Sequence, residues 1–282
     1  MKSFFERFSG TGYICAHRGA RSIAPENTLL ALEKSRNCDA DLWETDIQAT
    51  ADGELILFHD HTLERTSDVV SRSEFSDRSP WTLAEFTFAE LKKLDAGSWF
   101  LHSDPFKTIA KGEVSEDDFP AIKTQRISLL RDVLKDCRKY DFPVNLEIKD
   151  QTGTAADRII VGKVLALLKA TGTEQLVLIS SSNHNYLRQA KQLNPAIATA
   201  ALVKQNHPEN LLAYLRDLGV DAYHPNQLIT DSTLVRQLTA AGMRVNLWTV
   251  NDFDRAQYFI EAGATFICTD WPQRMANSGH ST

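Results

Sequence analysis

Val144-Asn145-Leu146-Glu147-Ile148-Lys149 alternates apolar and polar side chains at every step. Successive side chains of a strand point to opposite faces, so Val144, Leu146 and Ile148 share one face while Asn145, Glu147 and Lys149 share the other. The run lies between Leu129 to Tyr140 and Ala156 to Ala170, whose apolar residues recur at the three- and four-residue steps of a helix. A strand between two helices is the repeating unit of a parallel sheet with helical crossovers.

The same alternation extends in both directions. Further strands are expected at Tyr13 to Ala16, Asp41 to Ile47, Leu176 to Ser180, Ile197 to Val203, Val220 to Tyr223, Val245 to Val250 and Thr265 to Thr269. With Val144 to Ile148 they make eight, the count a closed (β/α)8 barrel requires. Helices are expected between them at Asn27 to Asn37, Tyr186 to Leu193, Pro208 to Leu218, Asp231 to Ala241 and Asp252 to Ala262. A chain of 282 residues, 43% hydrophobic, suits one barrel domain over residues 1–282.

One stretch breaks the pattern. About seventy residues separate His59 from the helix near Leu129, where ordinary βα connections take 2 to 6. Residues 61–126 therefore read as an insertion after the second strand region, packed over the barrel as a cap. Trp81, Phe86, Phe88, Trp99 and Phe100 would give it a small core of its own.

The formal charge of -6 excludes whole-molecule attraction to nucleic acid, so a phosphate would have to be held locally. Met1 to Gly12 carries Lys2, Glu6 and Arg7 and no apolar run of signal-peptide type, and nothing elsewhere approaches a membrane span of about 18 residues. A cytoplasmic chain without stable membrane insertion is expected; oligomeric state is not legible. Cys15, Cys38, Cys137 and Cys268 lack the paired spacing of zinc or redox motifs and read as reduced, mostly buried thiols.

Within Trp43-Glu44-Thr45-Asp46-Ile47-Gln48, Glu44 and Asp46 share a strand face. Asp52-Gly53 is a hairpin signal, and Glu54 to His59 reads as a returning strand, a ninth. A two-residue loop pairs Ala51 with Glu54 and Asp46 with His59, their Cβ atoms about 5 Å apart. A one-residue bulge would shift that register but keep His59 near the acids. Glu147 adds a third carboxylate, and polar residues inside a barrel demand a partner. An all-oxygen set of three carboxylates favours Mg²⁺ or Ca²⁺, with Mn²⁺ a further candidate, over zinc. His17-Arg18-Gly19 at the end of the first strand, with His59 and Lys149, completes a kit for phosphodiester cleavage: two imidazoles, two cations and a divalent ion.

Ala16-His17-Arg18-Gly19, Ala24-Pro25-Glu26-Asn27-Thr28, Glu44 and Asp46, Asp52-Gly53, His59-Asp60 and Leu63-Glu64-Arg65-Thr66 resemble the signature of the glycerophosphodiester phosphodiesterase family. Leu94 to Phe100, Asn145 to Lys149, Trp248-Thr249-Val250-Asn251 and Cys268-Thr269-Asp270-Trp271-Pro272 extend the resemblance from Tyr13 to about Pro272. It implies a barrel of the phospholipase C-like phosphodiesterase type and hydrolysis of glycerophosphodiesters to glycerol 3-phosphate and an alcohol. It further implies His17 and His59 as the acid-base pair, Glu44, Asp46 and Glu147 as metal ligands, and Arg18 and Lys149 on the phosphate. Attack by the glycerol moiety's own hydroxyl, through a cyclic phosphate, is part of the same implication. Glu26 and Asn27 are supporting residues that also suit a helix start. Trp248 is expected to line the glycerol pocket.

The stretch from His102 to Arg126 is longer and more charged than the family pattern, and Arg126-Ile127-Ser128-Leu129-Leu130 replaces its proline-threonine-leucine segment, which leaves substrate preference open. His61, His102, His184, His207 and His224 have no ligand spacing and read as surface or loop residues; His280 belongs to a tail expected to be disordered. Two other readings stand beside the first: a lysophospholipase D-type enzyme using the insertion aromatics as an apolar channel, and a non-catalytic phosphodiester-binding barrel. Amidohydrolase chemistry is remote, because His17 has no second histidine one residue away on its strand.

Overall fold

The computed structural model describes residues 3–275, so His280 lies outside them. Nine strands form one sheet: β1 Tyr13–Ala16, β2 Leu42–Ala49, β3 Leu55–Leu57, β4 Val144–Ile148, β5 Val177–Ser181, β6 Ala198–Val203, β7 Ala222–Pro225, β8 Arg244–Leu247 and β9 Phe266–Thr269. Eight are parallel and run β1-β9-β8-β7-β6-β5-β4-β2, with β2 pairing back to β1 to close a (β/α)8 barrel. The expected strands are all present, with ends shifted by up to three residues. β2 pairs with β1 at Leu42 and Trp43 and, at its far end, with antiparallel β3 through Ile47 to Ala49. β3 is thus an arm beyond the closed ring.

The hairpin register corrects the sequence reading by one residue. Ile47 opposes Leu57, and the Phe58 N–H donates to the Asp46 carbonyl, so Asp46 does not pair with His59. The cause is a three-residue loop, Ala51 to Gly53. The Thr50 N–H bonds the Glu54 carbonyl, the Thr50 hydroxyl accepts the Glu54 N–H, and Gly53 takes the left-handed conformation at φ 78°. His59 lies past the strand end. The first helix is also shorter than expected, Leu29–Asn37, because Thr28 caps it by accepting the Ala31 N–H.

Outward side chains of the strands pack beneath the helices in one large core, with Val144, Leu146 and Ile148 among them as the alternation requires. Inward side chains differ from bottom to top. At the strands' N-terminal end a 3-10 turn, Phe4–Arg7, puts Phe4, Phe5 and Phe8 against Tyr13 and Phe266. The Phe8 ring meets Phe266 edge-on at 4.9 Å between centroids. This aromatic plug closes the bottom.

Residues 61–126 form 3-10 turns and short helices, and their aromatics divide between two clusters instead of forming one core. Trp81, Phe86 and Phe88 pack with β3 residue Ile56 and with Phe58; Trp99 and Phe100 pack with Leu30 and Ala31 of the first helix. Gly97 separates the two, where an added Cβ would meet the Ile122 carbonyl oxygen at 1.8 Å.

His224 is a second correction: it is 1% exposed and faces the barrel interior from β7, not a surface loop. His184 and His207 are half-buried, and the hydroxyls of Tyr214 and Tyr223 meet their Nδ1 atoms at 2.6 and 2.8 Å. The four cysteines are free thiols, as expected.

Truncating the plug with Phe266→Ala is expected to cost about 3–5 kcal/mol in urea unfolding, through lost burial and a cavity. Burial also pushes the His224 imidazole down to about 3. The unfolded chain therefore takes up this proton below about pH 6.5 while the folded chain does not until about pH 3, so the stability is complete above that window and falls across it on acidification. His224→Leu should flatten the decline in thermal midpoint between those two pH values.

Candidate active site

The site begins where β1 ends. Arg18 and Gly19 both take left-handed backbone conformations, φ 53° and 85°. A Cβ on Gly19 would come within 2.5 Å of the Ala31 side chain, so only glycine lets this loop cross the first helix. The turn aims the Arg18 N–H at Glu44, 2.9 Å from its carboxylate oxygen, and sets the Arg18 guanidinium 3.3 Å from Asp46 and 2.9 Å from Glu26.

The register between β2 and β4 places Glu44 beside Asn145 and Asp46 beside Glu147. Glu44, Asp46 and Glu147 each bring one carboxylate oxygen within 4.8 Å of the others, and all three are buried. Lys149 Nζ reaches Glu147 at 2.8 Å and Asp46 at 3.3 Å, while Asn27 donates to Asp46 at 2.8 Å.

The three acids do not titrate alike. Burial works against the charge of Asp46, but Lys149, Arg18 and His59 outweigh it and hold Asp46 below the usual carboxylate range. Glu44 is pushed the other way, first by burial and then by the charges of Asp46 and Glu147. The carboxylate cluster is therefore short of positive charge at Glu44. Oxygen donors that are hard, anionic and locally under-neutralised fit a divalent cation such as Mg²⁺, Ca²⁺ or Mn²⁺.

Each histidine is held by an aspartate. His17 Nδ1 lies 2.7 Å from Asp270, leaving Nε2 toward the cavity and 4.0 Å from Glu44. Burial, with Arg18, lowers the His17 pKa against the pull of Asp270. Asp270 itself is lowered to about 2, because bonds and charge from His17 and Arg21 overcome its burial. Asn251 fixes Asp270 by donating to it at 2.7 Å. His59 Nδ1 lies 2.5 Å from Asp60, whose other oxygen accepts from Arg65 at 2.5 Å. Gln48 donates to the Phe58 and Asp60 carbonyls and so anchors this loop.

Glu26 joins the two halves. It accepts from Arg18 and Arg21 on the His17 side and from Arg65 on the His59 side, at 2.7 to 3.1 Å. Burial would raise its pKa, but the guanidiniums hold it far down. Asn27 is not in the helix; it is left-handed at φ 57°, and its amide bridges Asp46 and the Thr45 hydroxyl.

A cavity of about 180 Å³ opens onto His17, Arg18, Glu44, His59, Glu147, Lys149 and Trp248, which brings seven of the expected residues together. Asp46 stands behind this wall, while Glu26 and Asn27 brace it. Sequence reasoning passed over Asp270, Asp60, Arg65 and Arg21. The first three lay in quoted motifs, but only the fold shows which side chain each one holds. Asn145, His224 and Asn246 also line the cavity.

Residues 17–274 match the model of the glycerophosphoryl diester phosphodiesterase family. The chain is 31% identical over 266 residues to a glycerophosphodiester phosphodiesterase of Caldanaerobacter subterraneus subsp. tengcongensis, covering 94% of this chain and 96% of that one. A phosphodiesterase from Oleispira antarctica, solved in complex with the product sn-glycerol-3-phosphate, superposes with a TM-score of 0.80 at 28% identity, covering 97% of this chain and 98% of that one. A glycerophosphodiester phosphodiesterase from Agrobacterium tumefaciens str. C58 shares the fold at 20% identity and a TM-score of 0.68, covering 93% and 98% of the two chains. With a family match across most of its length and a relative of this identity over nearly the whole of both chains, the chain belongs to the glycerophosphoryl diester phosphodiesterase family of enzymes.

Proposed function

We propose that the protein hydrolyses glycerophosphodiesters to glycerol 3-phosphate and an alcohol, with His17 and His59 as the acid-base pair. The observation that carries this reading is the pair of His–Asp couples opening on one cavity that also presents Arg18 and Lys149. Two aspartate-oriented imidazoles, each with no hydrogen bond at Nε2 among the described residues, suit proton transfer at two atoms of one reaction. A pocket that only bound its ligand would need neither.

In this reading Arg18 and Lys149 neutralise the phosphodiester, and Trp248 lines the side of the pocket that takes the glycerol. One imidazole accepts the proton of the attacking oxygen as its lone pair forms the new bond to phosphorus. The other donates a proton to the alkoxide that leaves with the electrons of the broken P–O bond. The attacking group is the glycerol hydroxyl of the substrate itself, followed by water on the cyclic phosphate, because the first attack is intramolecular. Glu44, Asp46 and Glu147 would hold one divalent cation, Mg²⁺, Ca²⁺ or Mn²⁺, which when bound supplies positive charge to the phosphoryl oxygens. Glu26 positions Arg18 and, through Arg65 and Asp60, His59.

We read the chain as one catalytic barrel domain in which residues 61–126 brace the site through Arg65. None of the cavity's lining residues comes from that insertion, and its aromatics are engaged in their own clusters. The small volume and this lining favour a water-soluble diester over a lysophospholipid.

Protein stripped of divalent ions should release no glycerol 3-phosphate from glycerophosphocholine, and adding one of the three ions back should restore release; turnover that ignores chelation would remove the metal from the scheme. His17→Ala and His59→Ala should each lower kcat by about 10²–10⁴-fold. The variant that has lost the general acid should recover most of its rate on glycerol 3-(p-nitrophenyl phosphate), which keeps the attacking hydroxyl and whose leaving group needs no proton. Equal losses on both substrates for both variants would refute the division of roles.

A further inference from the structure

Ala198 and Ala200 of β6 pack inside the barrel, and the alternation continues upward through Leu202 to Lys204, the first residue past the strand. Leu202 and Lys204 both line the active-site cavity, and of the described lining residues Lys204 alone is exposed, so it marks the open mouth. Its backbone is held in place. The Asn226 side chain donates to the Lys204 carbonyl at 3.2 Å, and the Asn226 N–H donates to the Val203 carbonyl at 2.9 Å.

The other two cations of the lining are already committed. Arg18 is held by Glu26 and Asp46, and Lys149 by Glu147 and Asp46. Among the described residues the Lys204 ammonium has neither an ion pair nor a hydrogen bond. No carboxylate among the described residues lines the side of the cavity built by β6 to β9. The lining acids, Glu44 and Glu147, stand on β2 and β4, while Asp60 and Asp270 lie outside the lining and are taken up by His59, Arg65 and His17. His224 Nε2 and Asn246 Oδ1 have no hydrogen-bond partner among the described residues, but burial keeps the imidazole neutral and the amide carries no charge. One ammonium therefore sets the field along this side of the mouth.

The phosphate of a glycerophosphodiester is common to every substrate and its glycerol is uncharged, so only the second alcohol varies in charge. That alcohol also varies in size and needs the open side, where Lys204 stands. An anionic group on it would meet a free cation with three donors on a flexible stem, which adapts to head groups of different length. An ammonium on it would meet a like charge with no acid to offset it, and only the ring of Trp248 to face. The formal charge of -6 repels anions at long range, so a preference for them has to be built locally.

We propose that Lys204 selects the leaving alcohol by charge, favouring diesters whose alcohol carries an anionic group over those whose alcohol carries an ammonium. This rests on the phosphodiesterase reading and adds to it the charge class of the alcohol and the residue that reads it.

Three diesters of matched length separate charge from shape: glycerophosphocholine, its uncharged 3,3-dimethylbutyl analogue and the 2-carboxyethyl ester. Glycerol 3-phosphate release is followed at low salt with Mg²⁺, Ca²⁺ or Mn²⁺ present for the wild type, Lys204→Met and Lys204→Glu. The side chain is exposed and unpaired, so neither substitution should disturb folding. Comparing one ratio across three proteins cancels the intrinsic reactivity of the leaving groups. The kcat/KM ratio of the carboxyethyl ester to glycerophosphocholine should fall about tenfold in Lys204→Met and about tenfold again in Lys204→Glu, as an attraction is removed and then reversed. The dimethylbutyl ester should lie between the two in the wild type, and the wild-type ratio should shrink as the Debye length is cut from about 30 Å to about 3 Å with salt. The same ratio in all three proteins would overturn the assignment, because any preference for the anion would then belong to Arg18, Lys149 or the bound cation. Release from none of the three diesters by the wild type with any ion would overturn the phosphodiesterase reading and the assignment with it.

Discussion

Three carboxylates buried within 4.8 Å of one another set the terms for the rest of the structure. Each loses its hydration inside the barrel, and each raises the cost of ionising the other two. The chain answers with two cations of fixed geometry. Arg18 is aimed by a left-handed turn that requires Gly19 beside it, and Lys149 rises from the same strand face as Glu147. Both stand 3.3 Å from Asp46, and with His59 they hold its pKa down while that of Glu44 is raised. The remaining deficit sits at Glu44, on the cavity wall, where an incoming cation would be most useful.

A second balance depends on the first. Arg18 cannot serve the acids unless its outer nitrogens are also held, and Glu26 holds them while gripping Arg21 and Arg65. Arg65 comes from the insertion and fixes Asp60, and Asp60 fixes His59. Arg21 stands 3.4 Å from Asp270, the partner of His17. One buried carboxylate therefore links the residues that orient both imidazoles to Arg18 beside the carboxylate cluster. The insertion's contribution is mechanical: it delivers a guanidinium that ties Asp60 to Glu26.

The barrel was legible because its strands are short apolar runs whose period differs from that of the helices between them, and β1 and β4 match residue for residue. The acids were legible because alternation alone places Glu44 with Asp46 and Glu147 with Lys149. The hairpin was not, since a dipeptide signal cannot show that the Thr50 hydroxyl takes the Glu54 N–H and lengthens the loop. His17 and Asp270 are 253 residues apart, and only closure of β9 onto β1 brings them together. His224 was misread because the expected strand stopped at Tyr223, whereas β7 continues to Pro225 and turns that imidazole inward. The insertion aromatics read as one core because spacing along the chain does not reveal that Gly97 divides them.

A barrel interior this polar needs its stability from elsewhere, and the two ends differ accordingly. The bottom is closed by Phe4, Phe8, Tyr13 and Phe266, and the outer face of every parallel strand feeds the main apolar core. Those contacts depend on neither the charges above nor a bound ligand, so they stabilise the scaffold while the upper layers carry unpaired or repelling groups. Such groups persist when their cost is recovered in binding, because a ligand that completes them gains what folding lost. The layers follow the same logic from bottom to top. Aromatic residues make the closed end, neutral polar residues come next, and charged residues stand at the mouth.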